Sequence, residues 1–195
     1  MIGQALGFLI ETAANFFAFA ALVRFFMQWS RTAYAHPFSR FVMAVTDFAV
    51  RPLRRIVPGL RGYDLASLVA AWLAAILLVV ALDVLDVRPL PGTRSLAMTS
   101  LGIALLAALH VLRMALYLIM GLVFLQVVVS WVSPGSPAMF VLESLTRPFL
   151  RLIRRRLPPL GGVDLSPLVV FVVCQLLLML PVAALERAAY GIFVA

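Results

Sequence analysis

Four long apolar runs, separated by short polar stretches, set the plan of this 195-residue chain. They cover residues 12–28, 65–82, 114–130 and 165–185, each close to the roughly 18–20 residues that cross hydrocarbon. In lipid the backbone must bond within its own segment, so these runs predict four transmembrane helices and an all-α membrane protein. The first run invites a signal-peptide reading. It lacks a basic leader, Glu11 interrupts it, and it continues to Gln28, which favours a retained span. The region 96–131 is too long for one span, about 54 Å as a helix against a core of about 30 Å. Arg113 sets the register there, because an arginine at the bilayer centre costs roughly 2.5–3.5 kcal/mol and much less at an edge. The third span is therefore placed at 114–130. Residues 87–112 are expected to form an outer loop, within the stretch DVRPLPGTRS (86–95), and then an interfacial or protruding helix over 96–112.

Between the spans of each pair the pattern changes period. Residues 38–57 and 138–157 place arginines on one helical stripe and apolar residues opposite. In the second segment Arg147, Arg151, Arg154 and Arg155 share the stripe, with Phe149, Leu150, Leu152, Ile153 and Leu157 facing away; in the first it is Arg51, Arg54 and Arg55. These segments predict amphipathic helices in the headgroup plane. The likeness is a duplication. An ungapped offset of 100 over residues 37–69 gives 12 identities in 33 positions, among them Thr46, Arg51, Arg54, Arg55, Pro58, Gly62 and Asp64. Trp131 matches Trp29 at an offset of 102, so two residues are missing from the second copy's loop. Residues 1–86 and 113–195 thus form two repeats of span, arginine helix, span. With two spans each, both enter the bilayer from the same side and run parallel.

Charge adds an orientation. Of 16 basic residues, all arginine, twelve lie on the side of the two amphipathic segments with only four carboxylates, so the whole net charge of +8 sits on one face. The positive-inside rule makes that face cytoplasmic and puts both termini outside. The mean hydropathy is +1.08. The lone cysteine, Cys174, lies within an apolar run and reads as a packing residue.

Candidate chemistry is sparse. Asp64 and Asp164 follow Gly62 and Gly162 and read as N-caps of the second and fourth spans; they can also pair with neighbouring arginines. Glu11 and Arg113 are equivalent at the offset of 102 and are expected either to form an intramembrane ion pair or to snorkel separately to the interface. His110 stands one turn before Met114, a spacing seen in haem ligand pairs, but with only His36 besides it an ordinary interfacial histidine is the simpler reading. Nothing resembles a catalytic set, a metal cluster or a cofactor loop, so no enzyme activity, metal or cofactor is expected. Asn15, Gln126 and Gln175 are the candidate polar residues at the midplane, too few for an ion pathway within one monomer. The arginine stripes, Arg51, Arg54 and Arg55 with Arg147, Arg151, Arg154 and Arg155, are the candidate docking face for anionic lipid or for an acidic membrane or cytoplasmic protein. Nucleic acid comes last, since no recognition motif accompanies the arginines.

The second copy carries Thr146, Pro148, Leu150, Arg154, Arg155 and Pro158, then Gly161, Gly162, Asp164, Ser166 and Pro167. This pattern resembles the YggT family, also called YlmG, and the likeness covers nearly the whole chain. The chain departs from it at Leu152, where the family has proline. In the first copy Phe48 stands for the first proline, Pro52 keeps the second, and Arg61 and Ser67 replace a glycine and a proline. The resemblance implies a multi-pass protein of the bacterial inner membrane without known enzymatic chemistry. Relatives are linked to cell division, osmotic tolerance and potassium handling, and in plastids to cytochrome assembly and nucleoid distribution. The reading that follows is a non-catalytic scaffold or assembly factor of the envelope. Its alternative is a small channel or ion or osmolyte transporter, which would need several copies of the chain.

Overall fold

The computed structural model describes residues 2–30, 37–57, 59, 63–90, 96–156 and 164–194. Helices follow the apolar pattern: α1 (Ile2–Trp29), α2 (Pro37–Ile56), α3 (Leu65–Val84), α4 (Leu96–Val132), α5 (Pro137–Arg154) and α6 (Ser166–Leu177). A π-helical turn, Leu178–Val182, carries α6 into α7 (Ala183–Val194). No β-strand occurs among the described residues. α1, α3, α4 and the continuous α6–α7 are long and apolar enough to cross a membrane.

The helices run beyond the spans read from the sequence. α1 begins at Ile2 and not near residue 12, α4 is one helix through Arg113, and the last helix passes Glu186 to Val194. Within these longer helices Glu11 pairs with Arg88 and Arg113 with Glu186. Residues 96–112 extend the third long helix. α5 stops at Arg154, and Leu157, with the proline and glycine elbow after it, lies outside the described residues.

α1 and α3 pack closely because small residues line their contact: Ala18, Ala21, Ala66, Ala70, Ala71 and Ala75 are all buried. Without a hydrophobic drive between helices in lipid, close backbone approach of this kind is what holds such a pair. α4 lies against α3 on one side and α6–α7 on the other. The Trp72 Nε1–H donates to the Ala104 carbonyl at 3.0 Å and fixes α3 to α4. At the far end the buried ring of Phe193 lies over Gly102, where a Cβ would stand 2.4 Å from its Cζ.

The two halves repeat one arrangement. α2 leans across α1 and α3, and α5 across α4 and α6. α2 buries Ser39, Val42, Thr46 and Val50, and α5 buries Leu145, Thr146 and Leu150. Ser136 caps α5, its hydroxyl accepting from the Met139 N–H, with Pro137 in the first turn.

Candidate functional site

The polar residues that enter the apolar body do so mainly beneath α2 and α5. In the first half Arg24 of α1 is only 4% exposed. Its Nη1 donates to Thr46 Oγ1 and to Asp47 Oδ1, both at 2.8 Å, and its Nε lies 3.6 Å from Asp64 Oδ2. Thr46 passes its own hydrogen to the Val42 carbonyl at 2.7 Å, which leaves its oxygen free to accept from Arg24. Asp47 also meets Arg51 at 2.7 Å. Asp64 receives Arg54 in a two-pronged contact, 3.2 Å from Nε and 2.6 Å from Nη2, and the Ser67 hydroxyl at 2.6 Å. One connected set of charges thus ties α1, α2 and the start of α3 together.

The second half holds the same positions with different charges. Thr146, equivalent to Thr46, donates to the side-chain oxygen of Gln126, which stands where the first half has Arg24. Arg147 replaces Asp47, so the buried cation and its acid are exchanged together. Arg154 grips Asp164 through Nε at 2.9 Å and Nη2 at 2.7 Å, as Arg54 grips Asp64. Asp164, one residue ahead of the N-cap Leu165, also accepts from the Ser166 N–H at 2.9 Å. Asp64 differs from the cap expected of it. Its carboxylate bonds no backbone N–H, being occupied by Arg54 and Ser67.

All three aspartates are held below the usual carboxylate range. For Asp64 burial works to raise it, and the hydrogen bonds from Arg54 and Ser67 with the charges of Arg54 and Arg24 outweigh that. At Asp47 burial is opposed by Arg24 and Arg51, and at Asp164 by Ser166 and Arg154. A depressed native value adds stability above the unfolded value of about 3.9, and that share is lost as pH falls below about 4 through the native value.

Among the expected docking arginines, Arg54 and Arg154 therefore serve as anchors, and Arg51 is shared with Asp47 although its side chain is 76% exposed. Arg55, Arg147, Arg151 and Arg155 are exposed and have no carboxylate partner among the described residues, as is true of Arg40 and Arg156.

A second polar group lies toward the other end. Glu11 pairs with Arg88 at 3.1 Å, Arg113 with Glu186, and His110 Nε2 is 2.8 Å from Asn15 Oδ1. Arg88, His110, Arg113, Glu186 and Tyr190 line a cavity of about 150 Å³ there. Glu11 and Arg113, read from the sequence either as a pair or as two separate interfacial charges, each take a different partner. Asn15 opposite His110 sets α1 against α4 at a difference of 95, seven residues short of the repeat offset, a slip of about 10 Å. Equivalent residues are thus not level.

Sequence reasoning missed the role of Arg24, which was counted among surface charges. The available signal was its alignment with Gln126, a polar residue within the later apolar run.

The CCB3/YggT family profile matches residues 3–85 and again 105–185. The chain belongs to the YggT family. The two matches correspond to the two halves described above, and the unmatched stretch between them holds the connection and the first turns of α4. The chain is 34% identical over 168 residues to the "Uncharacterized protein YggT" of Escherichia coli K12, covering 85% of this chain and 83% of that one. It is 32% identical over 173 residues to an uncharacterized Vibrio alginolyticus protein named for the proC 3′ region (88% and 90% covered), and 33% identical over 175 residues to the uncharacterized PA0392 of Pseudomonas aeruginosa (89% and 86%). No solved structure matches the chain.

Proposed function

We propose that this YggT-family protein is a non-catalytic scaffold of the bacterial inner membrane. Its duplicated arginine helices dock it on the anionic lipid of the cytoplasmic leaflet and present it there to its envelope partners. The observation that carries this reading is the set of exposed arginines without carboxylate partners among the described residues: Arg55 on α2, Arg147 and Arg151 on α5, and Arg155 just after it. Exposed apolar side chains on the same two helices, Phe41, Phe48 and Ile56, then Phe140 and Leu152, suit an interfacial position. A basic residue near an anionic surface is worth about 1 kcal/mol at moderate salt.

Changing Arg55, Arg147, Arg151 and Arg155 together to glutamine leaves Arg24, Arg54 and Arg154 in their anchors. Reconstituted with spin-labelled phosphatidylglycerol and phosphatidylcholine, the native protein is expected to enrich the anionic lipid at its surface, less so at high salt. The fourfold variant is expected to lose most of that preference. Equal selectivity in both proteins would remove the basis of the reading.

The orientation follows from the same charges. With the arginine face cytoplasmic, a reporter fused after residue 195 is expected to be active on the outer side; activity in the cytoplasm would reverse the topology.

A further inference from the structure

Gln175 sits on α6 at the middle of a long apolar stretch. The flanking charges, Asp164 and Glu186, are each eleven residues away, about 16 Å of helix. The side chain is exposed, and it shares a strip with Leu168, Val172 and Met179, which are 62%, 51% and 62% exposed. The amides of Asn15 and Gln126 are bonded to His110 and Thr146, but Gln175 makes no side-chain hydrogen bond among the described residues. Beside it runs a groove of about 310 Å³ between α4 and α6, lined by Met120, Phe171, Val172, Gln175 and Leu176. An amide left facing hydrocarbon lacks any partner for its N–H and C=O groups, which is costly in lipid.

We propose that this face of α6 is where a second copy of the chain docks, the two Gln175 amides exchanging N–H···O=C hydrogen bonds across a two-fold axis. Self-complementarity selects the occupant. A primary amide is both donor and acceptor, so its own copy, related by a two-fold, satisfies both groups at once. The rest of the strip is apolar and uncharged, and an identical strip matches it. Interhelical hydrogen bonds of this kind contribute modestly to association in membranes, and packing into the groove supplies the remainder.

Single-molecule photobleaching in liposomes over a range of protein-to-lipid ratios gives the association constant. Gln175→Leu is expected to weaken it by roughly 3- to 30-fold while leaving the thermal unfolding of the monomer unchanged. In a Cys174→Ala background, Gln175→Cys is expected to form a disulfide-linked dimer under mild oxidation. Val173→Cys, exposed on another side of the same helix, is expected not to do so. The proposal is overturned if the native protein stays monomeric at every ratio. It is equally overturned if Gln175→Leu associates as tightly as the native chain, if both cysteine variants crosslink alike, or if Gln175→Cys crosslinks in cells only to a membrane protein of different mass.

Discussion

Replacing Arg24 with leucine is expected to lower the unfolding free energy by about 3–5 kcal/mol, because it strips a buried network of one partner and leaves the other charges in place. Arg24 and Asp64 are both 4% exposed, and neither can recruit water to replace the lost contact. Asp64 retains Arg54 and Asp47 retains Arg51, which favours the lower end of that range. For a chain of this size the loss corresponds to a fall of roughly 6–20 °C in the melting temperature in detergent micelles. Arg54→Gln is the comparison. Its side chain is 47% exposed, so water takes over part of its role, and its cost is expected near 1 kcal/mol. Equal melting temperatures for the two variants would show that burial does not set the strength of this network. The same melts taken down the pH scale are expected to hold steady to about pH 5 and to fall below about pH 4, as the depressed carboxylates of Asp47, Asp64 and Asp164 take up protons. A melting temperature unchanged down to pH 2 would contradict the linkage.

In the second half, Thr146→Val is expected to cost about 1–3 kcal/mol, since it deprives the buried Gln126 side chain of its partner. Removing both polar groups, Gln126→Leu with Thr146→Val, is expected to recover most of that loss, because an apolar pair leaves nothing unsatisfied. A double variant less stable than Thr146→Val alone would mean that the hydrogen bond itself is not what matters at this position. The contrast between the halves follows from their chemistry: the first binds α2 with a buried cation, the second binds α5 with a neutral amide.

The existence of the long helices was legible in the sequence because apolar runs of that length have few other uses. The Arg54–Asp64 and Arg154–Asp164 pairs were also within reach, since both partners lie in one repeated segment. The ends of the helices were not. The partners of Glu11 and Arg113 come from distant parts of the chain, 77 residues away for Glu11 and 73 for Arg113. Arg24 shows the same limit: an arginine at the edge of an apolar run reads as a surface charge unless Thr46, Asp47 and Asp64 are known to fold over it. The offset of 102 does align it with Gln126, a match the sequence reading passed over. It could not show that the repeats slide past each other.

That slip has a mechanical consequence. Asn15 facing His110 sets α1 and α4 out of register by about 10 Å along their axes, a third of a typical hydrocarbon thickness. The apolar stretches of α1 and α4 are therefore offset along their axes. A flat bilayer meets such an offset by letting the protein tilt or by thinning beside one of its halves. Each response strains the surrounding lipid unevenly.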